Sequence, residues 1–247
     1  MQVVTNQEFV KARTRIGRWG TLAGAVGMGA GFLTSFNVEY IAASYIFLIF
    51  GILSFNVGRY NAMRWGIRPR EDEILTNSLK GLDQKYALIN YAPGVPSAHV
   101  ILSPFGLIHV ETRHVEGVVL CEGDRWRRKR SFLAWLRGFA EGQLGNPTKS
   151  ALATVDRLRA FLVEHLGTDI AGQVPVEAVV VFVNPRVDLN VSDAVVPSMT
   201  PRELKAHVRT PSGRTKIPPE AYRRAQQLLI YENGLNGKNG SSKRKVG

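Results

Sequence analysis

Hydrophobic positions are unevenly distributed along this chain. Near the N-terminus, residues 19–36 and 40–58 contain no charged side chain. Each stretch approaches the roughly 20 apolar residues that a helix needs to cross the ~30 Å hydrocarbon core of a bilayer. The second stretch is apolar around its whole circumference, whereas a soluble surface helix would carry a polar stripe. The pattern predicts a transmembrane helical hairpin over residues 19–58, with spans at about 19–36 and 40–58.

Glycines are frequent in the first predicted span. Small residues four positions apart lie on one helix face and let a neighbouring helix approach closely. We expect this face to pack against the second span or to mediate homo-oligomerisation, through Gly20, Gly24, Gly27 and Gly31.

Basic residues flank the predicted hairpin on both sides, whereas the link at residues 37–39 has no positive charge. The positive-inside rule therefore predicts a multi-pass protein of the cell membrane, with both termini and the soluble domain in the cytoplasm. A cleavable signal peptide is the alternative for the first span, but it explains the second span poorly. The flanking cations are Lys11, Arg13, Arg15 and Arg18 on one side, and Arg59, Arg64, Arg68 and Arg70 on the other.

Beyond the hairpin, helical and strand patterns alternate. The β-branched run at residues 176–183 is typical of a strand covered on both faces, and so of a mixed α/β sheet. Helices are predicted at residues 70–81, 146–167, 201–208 and 222–230. Strands are predicted at residues 86–90, 99–102, 107–110, 117–121 and 125–130, with a short one around 195–196.

The predicted organisation has five parts. A basic cytoplasmic segment at residues 1–18 precedes the hairpin, and a basic linker follows it at 59–69. An α/β domain occupies residues 70–210, and a C-terminal helix and a disordered basic tail complete the chain at 211–247. The tail beyond residue 232 is expected to be disordered because its polar composition cannot bury a core.

The chain carries a net charge of +12, which favours polyanionic partners such as DNA, RNA or anionic lipid. On a strand, alternation would place Arg125, Arg127 and Lys129 on one face. A solvated edge strand, a nucleic-acid surface with an aromatic for base stacking, and a lipid-headgroup surface are all consistent with this composition. The densest basic cluster is Arg125, Trp126, Arg127, Arg128, Lys129 and Arg130.

Several short motifs in the soluble part occur in a recognisable order. Taken together, they resemble the NERD (nuclease-related) domain, a relative of the PD-(D/E)XK nucleases with the restriction-endonuclease-like fold, over residues 70–210. The motifs are an acid opening the first helix at Glu71, Ala98-His99-Val-Ile-Leu, Ile108-His-Val-Glu111-Thr-Arg113, Gly117, Trp126, and Asn146-Pro-Thr-Lys-Ser150.

The resemblance implies cleavage of phosphodiesters with Mg²⁺ as cofactor, because clustered carboxylates hold the ion that polarises the phosphate. It implies Glu111 and Glu71 as residual metal ligands and Arg113 as a third residual catalytic residue. This chain departs from the family where the Asp position reads Ala98 and the Lys position reads Arg113. An arginine keeps the charge but cannot exchange a proton near neutrality.

These departures predict a membrane-anchored, nuclease-related protein whose catalytic site is impaired, acting as a nucleic-acid-binding or scaffolding module. One alternative is an active nuclease that rebuilds its metal site from Glu71, Glu111 and a histidine, with His99 and His114 as candidates. Another is a membrane-surface protein-interaction module with no nucleic-acid role. Cys121 is the chain's one cysteine, so an intramolecular disulfide framework is excluded.

Overall fold

The computed structural model describes residues 1–129, 144–210, 213 and 215–232. Two predictions lie outside the described residues: the contribution of Arg130 to the basic cluster and the disorder of the tail beyond residue 232. The chain divides into two compact units, one comprising Gln7–Arg70 and the other comprising Met1–Asn6 with Glu71–Gly247.

The first unit is a pair of long helices. Helix α1 spans Gln7–Thr34 and α2 spans Ile41–Asn61, with a 3₁₀ turn at Val38–Tyr40 between them and a π-helical turn at Ala62–Gly66 after α2. Helix α1 begins before the predicted span, since residues 7–18 form its first part. Packing extends into this polar part, where the Phe9 ring meets Trp65 edge-on at 5.3 Å between ring centroids.

Glycines bring the two helices into close contact. A Cβ atom on Gly20 would lie 2.9 Å from Cα of Gly58, and one on Gly27 would lie 3.1 Å from Cα of Gly51. Real Cβ atoms rarely approach a backbone so closely, so this interface requires glycine. The predicted packing of the glycine face against the second helix is confirmed. Gly29, in contrast, has open space around its Cα.

The outward surface of this helix pair is apolar. Side chains such as Leu33, Phe36 and Ile46 are 71%, 75% and 69% exposed. Among the described helices, the stretch Val38–Ser78 is the one that is long and apolar enough to cross a membrane. The sequence pattern predicts two spans, but α1 does not meet the same criterion of length and hydropathy.

The second unit contains a six-stranded mixed sheet in the order β1-β2-β3-β4-β7-β9 and a three-stranded sheet in the order β6-β5-β8. In the larger sheet, β2, β3 and β4 are antiparallel neighbours, and the other pairings are parallel. The strands are β1 Gln2–Thr5, β2 Ala87–Asn90, β3 His99–Ser103, β4 Gly106–Arg113, β5 Gly117–Glu122, β6 Arg125–Lys129, β7 Val176–Phe182, β8 Val187–Ser192 and β9 Ser198–Met199.

Helices cover the larger sheet on both faces, which confirms the predicted mixed α/β class. Helix α3 (Glu71–Ser78) and α6 (Pro201–Arg209) bury Leu75 and Leu204 in the core on one face. On the other face, α4 (Pro147–Leu166) buries Leu158 in a second core. The remaining helices are α5 Thr168–Ala171, α7 Pro219–Gln226 and a π-helical segment at Gln227–Glu232.

Strand β1 was not predicted, because four residues are too short to show a periodic pattern. It pairs in parallel with β2, so residues 2–5 are part of the larger sheet, and residues 1–6 belong to the same compact unit as that sheet. The predicted strand around residues 195–196 is also wrong, and β8 and β9 lie on either side of that position.

Residues beyond the predicted boundary at residue 210 contribute to the core of this unit. Ala221, Ala225 and Leu228 are buried in the same core as α4. The helix expected at residues 222–230 is present as α7 and its π-helical continuation, and it is part of the folded unit.

Candidate functional site

Strand alternation divides the polar side chains of β4 between the two faces of the sheet. Val180 and Val181 of β7 pair with Glu111 and Thr112 and belong to different cores. The side chain of Glu111 therefore points to the face covered by α4, together with the alternate residues His109 and Arg113. The side chain of Thr112 points to the face covered by α3.

Glu111 accepts three side-chain hydrogen bonds. Its Oε1 accepts from Oγ of Ser150 at 2.9 Å and from Nη1 of Arg113, and its Oε2 accepts from Nε2 of His109 at 3.1 Å. His109 is itself buried, and its Nδ1 lies 2.7 Å from Oγ of Ser97. The carboxylate is thus held by donors from its own strand and from α4.

These contacts determine the charge state of Glu111. Burial raises its pKa, but the hydrogen bond from His109, the Arg113 guanidinium and the Ser150 hydroxyl together outweigh burial and lower the pKa from 4.5 to about 2. Glu111 is therefore a carboxylate at any physiological pH.

Ala98 lies next to this cluster. Val100 pairs with His109 across β3 and β4, and continuing that antiparallel register by two residues places Ala98 opposite Glu111. Residues opposite each other in a sheet share a face. The methyl group of Ala98 offers no oxygen to a cation on this face.

A second polar network lies on the opposite face. Oε2 of Glu71 accepts a hydrogen bond from Oγ1 of Thr112 at 2.8 Å, and it lies 3.6 Å from Nε2 of His99. His99 is fully buried, and its Nδ1 lies 2.8 Å from Oδ1 of Asn90. Asn90 in turn donates to Oγ1 of Thr5 in β1 at 3.0 Å.

The structure therefore brings Glu111 and Arg113 together but places Glu71 on the other face of β4. No group of three or more His, Cys, Asp or Glu side chains suited to a metal ion occurs in the described part of the chain. His109 was not predicted as part of the cluster, although its spacing of two residues from Glu111 on a strand was a usable signal.

His114 and Cys121 show no catalytic arrangement. His114 is exposed beyond the end of β4. Cys121 is buried. Burial raises the pKa of its thiol most, and the nearby carboxylates of Asp124 and Glu122 raise it further. A thiolate nucleophile is therefore disfavoured at this position.

The side chains of the basic strand β6 alternate between an outer and an inner face. Arg125, Arg127 and Lys129 are exposed on the outer face. Trp126 points inward, where its Nε1 donates to Oγ1 of Thr148 at 2.8 Å and its ring lies 5.5 Å from that of Phe182. In this arrangement the Trp126 indole packs toward the core and not on the exposed face of the strand.

Comparison with known families supports the resemblance noted from the motifs. Residues 75–183 match the sequence model of the nuclease-related domain family, NERD. The chain carries a nuclease-related domain. The matched range includes His99, Glu111, Arg113 and Ser150, whereas Glu71 precedes it. No curated protein and no solved structure matches the chain.

Proposed function

We propose that this chain is a membrane-anchored nuclease-related protein whose metal-dependent cleavage site is impaired and whose domain acts as a nucleic-acid-binding or scaffolding module. The observation that carries the proposal is that three donors from the protein itself occupy the carboxylate of Glu111.

A divalent ion needs carboxylate lone pairs directed toward it. At Glu111 those lone pairs receive hydrogen bonds from Ser150, His109 and the permanently charged guanidinium of Arg113. An ion placed there would have to displace Arg113 and would be repelled by its positive charge. Ala98 provides no second carboxylate to compensate. These contacts favour loss of the nuclease mechanism.

Proton transfer is impaired for a related reason. An arginine stays protonated at pH values where enzymes work, so Arg113 cannot act as the general acid or base that a lysine of lowered pKa can be. Its guanidinium can still pair with a phosphate. The domain therefore retains chemistry suited to binding an anionic polymer but not to cutting it.

The outer face of β6 supplies a binding surface for such a polymer. Glu122 lies opposite Arg125, whereas the cross-strand neighbours of Arg127 and Lys129 are Leu120 and Val118. Arg127 and Lys129 therefore have no acidic partner across the strand pair. Exposed cations without an aromatic side chain suit sequence-independent contacts with phosphates.

Anchoring in a membrane is supported by the apolar outer surface of the helix pair and by its place in the chain. Strand β1 directly precedes α1, and α3 directly follows Arg70, so both ends of the helix pair join the same folded unit. A helix pair inserted into a bilayer between these two points must return to the side from which it entered. The basic flanks favour the cytoplasmic side, with α1 as the second span.

Nucleic-acid binding can be tested with the full chain in neutral-lipid nanodiscs and fluorescent double-stranded DNA or RNA. We expect binding whose affinity falls steeply with salt, and no cleavage products in Mg²⁺. Arg127→Gln combined with Lys129→Gln should weaken binding and reduce the magnitude of the logarithmic salt slope by about 2, because each lost phosphate contact removes ~0.9.

A matched control removes the same charge elsewhere. Arg223 and Arg224 are exposed on α7, and Arg223→Gln with Arg224→Gln should leave the salt slope unchanged. Equal effects of the two double variants would contradict a binding surface on β6. If neither double variant changed DNA binding, but Arg127→Gln with Lys129→Gln weakened the binding of a short-chain anionic lipid, the surface on β6 would be assigned to lipid headgroups instead.

Anchoring can be tested by membrane fractionation. The full chain should stay in the membrane pellet after an alkaline carbonate wash. A variant in which a Gly/Ser linker replaces residues 7–70, with β1 retained, should move to the soluble fraction. Release of the full chain by carbonate would contradict the anchor.

A further inference from the structure

Strand β8 forms one edge of the three-stranded sheet, where β5 is its single neighbour among the described strands. The amide of Gly123, just beyond β5, donates to the carbonyl oxygen of Ser192 in β8. Backbone groups alternate in direction along a strand, so every second residue counted back from Ser192 bonds toward β5. The N–H and C=O groups of Leu189 and Val191 therefore point away from β5, and a row of such groups is a template for a further strand.

A groove of about 340 Å³ lies along this outer edge. Leu189 and Val191 line it, and Ser198 of β9, the edge strand of the larger sheet, lines it too. Val191 is 37% exposed. An extended chain in this groove would both pair with the β8 backbone and cover apolar side chains of β8.

The opposite edge of the same sheet is protected from such pairing. Strand β6 exposes Arg125, Arg127 and Lys129, and charged side chains on an edge strand discourage the addition of another chain. Strand β8, in contrast, contains no lysine, arginine or proline. The edge at β8 is therefore the one suited to accept a partner strand.

The groove is acidic, although the chain as a whole carries a net charge of +12. Asp188 and Glu203 both line it, and neither pairs with a cation among the described residues. The Asp188 carboxylate accepts from the side-chain amide of Asn190 at 3.4 Å. One oxygen of Glu203 caps α6 by accepting from the amide of Thr200 at 2.8 Å. Two carboxylates without a cationic partner favour a basic ligand by charge complementarity.

We propose that the edge of β8 binds an extended basic segment of a partner protein, which adds to the small sheet as a fourth strand. Main-chain hydrogen bonds to Leu189 and Val191 hold the segment. Side chains alternate along a strand, so one set packs on the apolar side chains of β8 and the other places cations near the two carboxylates. The inference names the partner class for the scaffolding role in the proposed function and rests on that role, whereas nucleic-acid binding at β6 does not depend on it.

The test uses the full chain in neutral-lipid nanodiscs and a fluorescent peptide of alternating lysine and valine, whose binding is followed by fluorescence anisotropy. We expect saturable binding, and a peptide of alternating glutamate and valine should bind at least about tenfold more weakly. Two further lysine–valine peptides carry N-methyl groups, one on every lysine amide and the other on every valine amide. Only one of these sets faces β8 in a strand, so one peptide should lose at least about tenfold in affinity and the other should keep it.

Variants of the chain test the two carboxylates of the groove. Asp188→Asn with Glu203→Gln should weaken binding of the lysine–valine peptide at least about tenfold. Glu203→Gln preserves the cap of α6, because glutamine serves in a capping box as glutamate does. As a matched control, Asp156→Asn with Glu164→Gln removes the same charge from the exposed surface of α4 and should leave the affinity within about twofold. Thermal melting checks that both double variants fold.

Absence of saturable binding of the lysine–valine peptide would overturn the proposal. Equal binding of the two N-methylated peptides would also overturn it, because strand addition depends on one set of amides, and so would equal effects of the two double variants. Failure of peptide binding with intact DNA binding would contradict the β8 edge alone. Failure of DNA binding with intact peptide binding would contradict the β6 surface and support the β8 edge.

Discussion

Each face of the large sheet carries a glutamate beside a buried histidine, and the two pairs differ in their hydrogen-bond partners. On the α4 face, Glu111 is satisfied by His109, Arg113 and Ser150. On the α3 face, Glu71 accepts from Thr112, but its neighbour His99 has an Nε2 atom with no hydrogen-bond partner within the described residues.

The comparison shows that residue type alone does not determine how a glutamate is held in this sheet. Glu111 accepts hydrogen bonds from three internal donors, one of which is Arg113, the residue that stands where the resemblance implies a lysine. On the other face, Glu71 accepts a hydrogen bond from Thr112 and lies 3.6 Å from Nε2 of His99.

Rebuilding the α4 face should have the largest effect. Ala98→Asp adds a second carboxylate opposite Glu111, and Arg113→Lys replaces the permanent cation with one whose pKa can fall. We expect the double variant to show Mg²⁺- or Mn²⁺-dependent DNA cleavage on the order of 100-fold or more above the parent chain. Adding Glu111→Gln to the same variant should remove the gain, and a gain that persists would mean that Glu111 is not the ligand.

The contributions of Glu111 and Glu71 to the free energy of unfolding provide a matched comparison. Glu111→Gln leaves the partly buried Arg113 without its carboxylate partner and should lower the free energy of unfolding by roughly 3 kcal/mol. Glu71→Gln keeps an oxygen that can accept from Thr112, so we expect a smaller loss, of about 1 kcal/mol. Chemical denaturation of both variants measures the difference, and equal losses would contradict the asymmetry between the faces.

The pH dependence of stability should reflect Glu111. Its pKa of about 2 in the folded chain lies below the ordinary value of 4.5, so its contribution is present above pH 4.5 and is lost as the pH falls toward 2. The shift corresponds to about 3 kcal/mol. The stability difference between the parent chain and Glu111→Gln should shrink over this window, and a difference that is constant from pH 6 to pH 3 would contradict the pKa assignment.

Single hydrogen bonds around each cluster should have smaller effects. Ser150→Ala removes one donor from a charged acceptor and should cost ~1.5 kcal/mol, whereas Thr5→Val removes a neutral acceptor from Asn90 and should cost ~1 kcal/mol. Ser150→Ala should also raise the pKa of Glu111, which Thr5→Val should leave unchanged. Identical pH profiles for the two variants would show that Ser150 does not stabilise the Glu111 carboxylate.

The sequence revealed the parts of this fold that depend on long patterns. The apolar run of α2 and the β-branched run of β7 are long enough to be recognised directly, and α4 shows a helical period because one of its faces is buried. Strand β1 has four residues, and its pairing with β2 depends on contacts more than 80 positions away in the chain, which no local pattern encodes.

The site was only partly predictable for the same reason. The positions of Glu111, Arg113 and Ser150 followed from ordered motifs. The separation of Glu71 from Glu111 depends on which face of β4 each helix covers, which is a property of the assembled sheet. The hydrogen bonds that close Glu111 likewise come from elements far apart in the chain.

The most direct test is an assay for cleavage of DNA and RNA in Mg²⁺ and Mn²⁺ by the unmodified full chain and by its Glu111→Gln variant. It shows whether a divalent ion can use the Glu111 carboxylate despite the hydrogen bonds that this carboxylate accepts. We expect no divalent-dependent products from either protein. Strand scission by the unmodified chain that disappears in Glu111→Gln would show that an ion reaches Glu111 despite Arg113, and it would contradict an impaired site.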